Sequence, residues 1–194
     1  MISNNESRER LFEILYTRSF LYRADPPFKL TSGKVSPYYF DCKATTLDPE
    51  GCNIIGGLMF QVIRDLNIDA IGGLTLGADP VTIATSLEAY RNGERVLPLI
   101  VRKEPKSHGT QMWVEGNLKG VSRVVVIEDV ITTGKSALLA VKRMSELGLE
   151  VVMVAAIIDR EEGGRESIIN AGVDVISIFK RQDFDKKRLE DQKF

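Results

Sequence analysis

The chain of 194 residues carries 26 basic and 27 acidic side chains, so its net charge is −1. This length suits one α/β domain and is short for two, and the balanced charge argues against a general nucleic-acid binder, a class that is usually strongly basic. The sequence also lacks an apolar run of ~20 residues for a membrane span and the basic start of a secretion signal, so we expect a cytoplasmic protein with no nucleic-acid or membrane partner.

The N-terminal part predicts two helices separated by an aromatic-rich β segment. Apolar residues at helical spacing favour a helix over residues 8–23, which the prolines after Asp25 would end. Residues 28–43 combine aromatics with a Ser-Gly-Lys turn, which is typical of a short irregular β segment. The second helix is expected to begin with Asp48 as its N-cap and Pro49 as its first residue, and to end near Leu66.

From residue 70 onward, short apolar strands alternate with helices. Strands are predicted at 70–74, 96–101, 123–128, 151–158 and 175–179, and helices at 79–90, 134–147 and 165–171. This alternation predicts a parallel sheet that helices cover on both faces. The charged tail, residues 180–194, is expected to be a solvated helix or a frayed end.

About twenty residues without clear periodicity interrupt this alternation between the strands at 96–101 and 123–128. A loop of that length in a compact domain is usually functional or mobile. It brings four basic side chains together, those of Arg102, Lys103, Lys106 and His108. Such a cluster is more often a charged loop exposed to solvent. Cations at the carboxyl end of a strand could also close over an anionic leaving group.

The strand, turn and helix at residues 124–136 predict an anion site. They read Val-Val-Val-Ile-Glu-Asp-Val-Ile-Thr-Thr-Gly-Lys-Ser. Backbone N–H groups at the start of a helix attract phosphate. Glu128 and Asp129 would repel it, so we expect them to bind sugar hydroxyls or a cation instead. A P-loop is excluded because Asp129 replaces its first glycine. An isolated acidic pair would more often be a turn cap, but the turn that follows favours a ligand containing ribose and phosphate.

This stretch closely resembles the phosphoribosyl-pyrophosphate (PRPP) motif of type I phosphoribosyltransferases. The resemblance implies that Glu128 and Asp129 contact the ribose hydroxyls, directly or through water and Mg²⁺, and it gives Asp129 a catalytic role. It implies that the turn holds the 5-phosphate. The PRPP-binding residues implied by the motif are Glu128, Asp129, Val130, Ile131, Thr132, Thr133, Gly134, Lys135 and Ser136. The motif does not identify the base that the enzyme would use.

The basic loop resembles the catalytic loop of the orotate phosphoribosyltransferase family. That resemblance implies that Arg102 binds PRPP within its own subunit. It implies that Lys103, Lys106 and His108 bind PRPP in the neighbour's site, so a homodimer is expected. These three residues would stabilise the pyrophosphate leaving group, and His108 or Lys106 could deliver a proton to it.

Two further segments resemble that family's orotate site. Residues 28–41 resemble an N-terminal hood whose aromatic pair contacts orotate. Tyr39 and Phe40 match that pair best, although Tyr38 leaves the register open, and core packing is the more common role of adjacent aromatics. Arg160 follows a predicted strand and matches the arginine that pairs with the orotate carboxylate, although a surface arginine in an acidic turn is the simpler alternative. The resemblance also assigns Thr132 to orotate binding.

The resemblance covers most of the chain and implies an α/β, type I phosphoribosyltransferase fold, a central parallel sheet flanked by helices with a small N-terminal hood. We expect one domain, with the hood at about residues 1–48, the core at about 49–180 and the tail at 181–194. The implied reaction joins orotate to PRPP, giving orotidine 5'-monophosphate and pyrophosphate in pyrimidine synthesis. Mg²⁺ would arrive with PRPP rather than in a cage made only of protein ligands.

Three alternatives stay open. The chain could use a different base, or it could be a PRPP-sensing regulator without activity. It could also be a weakened family member, because Thr31 and Asp79 stand where relatives often have lysine.

Overall fold

The computed structural model describes residues 4–29, 35–105 and 112–192. The helices are α1 (Asn4–Arg18), α2 (Lys43–Thr46), α3 (Pro49–Ile63), α4 (Ala78–Arg91), α5 (Lys135–Ser145), α6 (Gly164–Asn170) and α7 (Arg181–Asp191). The strands are β1 (Phe20–Tyr22), β2 (Phe28–Lys29), β3 (Val35–Ser36), β4 (Tyr38–Phe40), β5 (Ala70–Leu74), β6 (Leu97–Val101), β7 (Val114–Glu115), β8 (Arg123–Ile131), β9 (Glu150–Asp159) and β10 (Asp174–Lys180). No helix within these ranges is long and apolar enough to cross a membrane.

Six strands form the central sheet in the order β10-β9-β8-β5-β6-β7. Five of them are parallel, and β7 pairs antiparallel with β6 at the edge. Alternate residues of β8 point to opposite faces, so Val125 and Ile127 join one apolar cluster while Val124 and Val126 join the other. The predicted α/β fold with a central sheet covered on both faces is therefore confirmed.

The hood is built from two short antiparallel pairs, β1 with β4 and β2 with β3. The predicted β segment after residue 28 is thus confirmed, but the first helix ends at Arg18 rather than near residue 23. The chain then turns into β1, where Phe20 is buried against Phe40 of β4 with 5.2 Å between ring centroids. Burial of Phe20 in a strand competes with continuation of the helix.

The structure differs from the predictions in three elements: the end of β8, the start of α4 and the loop that follows β6. β8 continues to Ile131 because Glu128, Val130 and Ile131 still pair with β9. The helix α4 begins at Ala78 rather than at residue 79, with Gly77 at its N-cap position and Asp79 in its first turn. The long loop contains the short strand β7. The N-cap role of Asp48 is confirmed, because its carboxylate accepts from the N–H groups of Glu50 and Gly51, each at 3.1 Å.

The charged tail is a helix, as predicted, but it is not merely solvated. The one aromatic residue of α7, Phe184, is fully buried and lies within 4.8–6.1 Å, centroid to centroid, of four other rings. These rings belong to Phe12, Phe20, Phe40 and Phe179, so α7 joins the hood to α1 and the sheet.

We expect Phe184→Ala to lower the free energy of unfolding by about 3–5 kcal/mol, because it removes a large buried ring and leaves a cavity. Urea denaturation measures the change. Leu189→Ala, on the same helix but 50% exposed, is the matched control and should change stability far less. Equal effects of the two substitutions would show that α7 is not anchored by Phe184.

Candidate active site

A cleft of about 550 Å³ opens where β8 and β9 reach their carboxyl ends. This is the edge of a parallel α/β sheet at which ligands usually bind. The residues that line the cleft come from the hood, from residues 128–137 and from the end of β9. They are Lys29, Tyr39, Phe40, Glu128, Asp129, Val130, Ile131, Thr132, Thr133, Gly134, Lys135, Ser136, Ala137 and Arg160. The structure thus brings the predicted motif, the aromatic pair and Arg160 into one place.

The segment between β8 and α5 has the geometry of an anion site. Gly134 has a φ of +78°, a left-handed conformation that favours glycine, and α5 begins immediately after it. A Cβ at this position would also lie 2.9 Å from the carbonyl oxygen of Gly164. The first N–H groups of a helix have no partners within that helix, and Lys135 and Ser136 place this helix start in the cleft wall.

Glu128 is a buried acid without a full set of hydrogen bonds. It is 6% exposed, and its Oε1 atom has no hydrogen-bond partner among the described residues. Burial, with a smaller contribution from the charge of Asp129, raises the pKa of Glu128 to about 8, while the positive charge of Lys103 opposes this shift. Glu128 is therefore largely protonated at neutral pH, which removes much of the repulsion toward an incoming phosphate.

Asp129 is held more tightly than its neighbour. Its Oδ1 atom accepts from the Val130 N–H at 2.8 Å. Burial raises its pKa, while that N–H group lowers it. The carboxylate lies against Gly77, at which a Cβ would come within 2.5 Å of Oδ2. The loop between β5 and α4 therefore sets the position of Asp129, a contact that the sequence does not reveal.

For PRPP, the ligand that the motif predicts, we expect Gly77→Ala to raise the KM by about tenfold, the equivalent of about 1.4 kcal/mol, because the added methyl group displaces the Asp129 carboxylate. The φ of −59° at Gly77 is an ordinary value for alanine, so backbone strain does not explain such a loss. Steady-state kinetics measures the effect. Gly57→Ala in α3, at which a Cβ meets nothing within 4 Å, is the control and should leave KM unchanged.

Arg160 is a buried cation, with 5% exposure, at the junction of the cleft and the hood. Its Nη2 atom donates to Glu162 Oε1 at 2.6 Å and lies 3.4 Å from the Tyr38 carbonyl and 3.5 Å from Ser36 Oγ. Its Nε atom is buried and has no partner among the described residues. The guanidinium can therefore still donate to an anionic ligand, and the alternative of a surface arginine is excluded.

The two aromatic candidates have different surroundings. Phe40 is 7% exposed and packs in the hydrophobic core, whereas Tyr39 is 37% exposed and its ring lies 5.6 Å from that of Phe28. Both line the cleft, but Tyr39 offers more free surface to a planar ligand. Tyr38 contributes its carbonyl to Arg160 instead.

The basic loop is only partly described. Arg102 lies outside the cleft wall, where its Nη1 atom pairs with Glu115 Oε1 at 3.3 Å. Lys103 is also absent from the lining, although its charge acts on Glu128. Lys106, His108 and Thr31 lie outside the described residues. Asp79 is turned toward Thr75, whose hydroxyl donates to its carboxylate at 2.7 Å.

Comparison with known proteins identifies the family. A model of the phosphoribosyl transferase domain matches residues 46–185. The orotate phosphoribosyltransferase of Aquifex aeolicus (strain VF5) is 49% identical over 173 residues, which cover 89% of this chain and 94% of that relative. The chain belongs to the orotate phosphoribosyltransferase family.

Further members of this family agree in sequence and in structure. The orotate phosphoribosyltransferase of Leptospira biflexa (strain Patoc 1) is 43% identical over 185 residues, covering 93% of this chain and 99% of that relative. The crystal structure of the Mycobacterium tuberculosis H37Rv orotate phosphoribosyltransferase in complex with PRPP superimposes with a TM-score of 0.75 at 34% identity, covering 92% of this chain and 98% of that chain.

Proposed function

We propose that this member of the orotate phosphoribosyltransferase family transfers the ribose 5-phosphate of PRPP to orotate in this cleft, giving orotidine 5'-monophosphate and pyrophosphate. The observation that carries the proposal is the joining, in one cleft, of a helix-start anion site with a buried arginine under an aromatic hood. The helix-start anion site suits a phosphate, and the buried arginine suits a planar carboxylate.

The sugar phosphate of PRPP binds to the segment after β8. Backbone N–H groups and the hydroxyls of Thr132, Thr133 and Ser136 provide donors, and the positive end of the α5 dipole adds to the attraction. Lys135 supplies a positive charge in the same wall. The ribose hydroxyls bind to Glu128 and Asp129, whose position three or more residues before the turn places them on the sugar side of the phosphate.

Orotate binds between Arg160 and the hood. The unpartnered Nε of Arg160 donates to the carboxylate of orotate, and the exposed face of Tyr39 stacks on the pyrimidine ring. A ring nitrogen of orotate then attacks the anomeric carbon of PRPP. The new bond joins nitrogen to carbon, and the bond from carbon to the pyrophosphate oxygen breaks, so no residue is needed as a covalent nucleophile.

We infer that Mg²⁺ enters this site as a companion of PRPP. Among the described residues, no group of three or more His, Cys, Asp or Glu side chains could hold a metal ion. Two acids, Glu128 and Asp129, are too few to enclose the ion. Asp129 suits a hydrated Mg²⁺, which usually takes one or two carboxylates plus substrate phosphates, and Glu128 could join it once it loses its proton. When bound, Mg²⁺ supplies positive charge that balances the pyrophosphate.

We also propose that the active protein is a cytoplasmic homodimer in which Lys103, Lys106 and His108 stabilise pyrophosphate in the neighbour's cleft. The family resemblance supports this proposal. A dimer mixed from a His108→Ala subunit and an Asp129→Asn subunit should regain activity, because one of its two clefts is intact. No recovery would contradict the sharing of loop residues.

The function itself is tested with a panel of bases. Purified protein is incubated with PRPP and Mg²⁺ and with orotate, uracil or hypoxanthine, and pyrophosphate release is measured. We expect turnover with orotate and little with the other two, because neither carries a carboxylate for Arg160. Turnover of uracil or hypoxanthine without turnover of orotate would overturn the proposal, and inactivity with all three would favour a PRPP-sensing regulator.

A further inference from the structure

The turn that follows β9 contains an acid, Glu162, whose carboxylate forms the shortest bond made by Arg160. Glu162 Oε1 lies 2.6 Å from Arg160 Nη2, and their side chains are 20% and 6% exposed. The two other oxygens near Nη2, the Tyr38 carbonyl and Ser36 Oγ, lie at 3.4 and 3.5 Å, which is long for a hydrogen bond. Glu162 is therefore the main anchor of the guanidinium.

The backbone around Arg160 is fixed independently of this ion pair. The Arg160 N–H donates to the Ile131 carbonyl at 2.9 Å, and the Arg160 carbonyl accepts from Arg181 Nε at 3.2 Å. What the backbone leaves undetermined is the orientation of a long side chain with several rotatable bonds. The contact with Glu162 supplies that restraint at the end of the side chain.

The turn bringing Glu162 back to Arg160 adopts an uncommon conformation. Glu161, between them, has a φ of +56°, a left-handed value that is costly for a residue with a side chain. The turn is held because the Glu161 N–H donates to Asp159 Oδ1 at 2.8 Å, and Gly163 follows with a φ of +89°. Strained backbone of this kind persists where the surrounding structure enforces it, often at functional sites.

We propose that Glu162 is a positioning residue that sets the specificity of the cleft for a carboxylated pyrimidine. It holds the Arg160 guanidinium through Nη2, so that Nε stays available to the base's carboxylate. It also balances a charge that would otherwise be buried without a counter-ion, so the pair recognises an anion by hydrogen-bond geometry rather than by net charge. This inference rests on the proposed function, because it assigns orotate to Arg160.

The test separates binding of the two substrates in the intact protein. Glu162→Ala should raise the KM for orotate about tenfold, the equivalent of about 1.4 kcal/mol, and leave the KM for PRPP within about twofold. Glu162→Gln, which retains an acceptor, should recover most of the loss. Glu162→Thr, whose hydroxyl is too short to reach Nη2, takes the place of the alanine variant if that variant does not fold. Glu166→Gln, which changes an exposed acid in the first turn of α6, is the control and should behave like the parent.

A double-mutant cycle shows whether Glu162 acts through Arg160. Once Arg160→Ala is in place, adding Glu162→Ala should change the KM for orotate by less than about twofold, because the group that it positions is gone. The inference would be overturned if Glu162→Ala raised the KM for orotate as much in the Arg160→Ala protein as in the parent. It would also be overturned if Glu162→Ala alone raised both KM values equally or lowered the KM for orotate. A parent protein that does not use orotate would instead overturn the proposed function.

Discussion

Replacing Arg160 by alanine is expected to lower kcat/KM for orotate by roughly 10- to 150-fold, the range that about 1.5–3 kcal/mol for a hydrogen bond to a charged group implies. The reason is that the variant loses the buried guanidinium proposed to bind the orotate carboxylate and leaves Glu162 nearby as an unpaired acid. The KM for PRPP should change little, since the phosphate segment belongs to a different wall of the cleft. Steady-state kinetics with each substrate varied in turn measures both values.

Selectivity adds a second result for the same variant. Because uracil has no carboxylate, its weak use should change far less than that of orotate, so the preference for orotate over uracil should fall. Arg91→Ala, which removes a 60% exposed arginine at the far end of α4, is the matched control and should leave both preferences intact. An Arg160→Ala variant with the parent's preference would show that another group recognises the carboxylate.

Replacing Glu128 by glutamine is expected to stabilise the fold at high pH and to weaken catalysis. The pKa of Glu128 is raised from 4.5 to about 8 in the folded protein. Because the pKa of Glu128 is higher in the folded than in the unfolded protein, ionisation of this residue favours unfolding. The free energy of unfolding of the parent should therefore fall as pH rises from about 4.5 through 8. The amide cannot ionise, and its advantage should reach on the order of 4 kcal/mol above pH 8 and vanish near pH 4.

Urea denaturation at pH 4.5 and pH 9 measures this difference. Glu146→Gln, at the C-cap of α5, where the side chain is 45% exposed, is the control and should show no comparable dependence on pH. The same Glu128→Gln variant should lose roughly tenfold or more in kcat/KM for PRPP, because a carboxyl group can rearrange its proton to suit the ribose hydroxyls and an amide cannot. An advantage of the amide that is equal at both pH values would contradict the raised pKa.

Local sequence signals were sufficient where neighbouring residues determine the structure. The strand at 70–74 and the start of β8 are continuous apolar runs, which identify buried parallel strands. Residues 128–136 lie together in the cleft because a strand, a turn and a helix start are contiguous in the chain. Arg160 could be placed for the same reason, since it directly follows β9.

Signals failed where the structure depends on contacts between distant segments. Glu128 and Asp129 looked like the end of a strand, yet pairing with β9 carries β8 on to Ile131. Phe184 is one aromatic in a charged stretch, so no periodicity marks it as buried. The contact of Gly77 with Asp129 and that of Glu162 with Arg160 require the folded chain. The roles of Lys106 and His108 stay predictions, because both lie outside the described residues.

A crystal structure of the protein with orotidine 5'-monophosphate bound tests the central claim most directly, because this product carries both the phosphate and the carboxylate. We expect its phosphate to accept hydrogen bonds from the N–H groups of residues 132–136 and its carboxylate to lie against Arg160, with Glu162 still on Nη2. A phosphate held elsewhere, or a carboxylate that does not contact Arg160, would contradict the account.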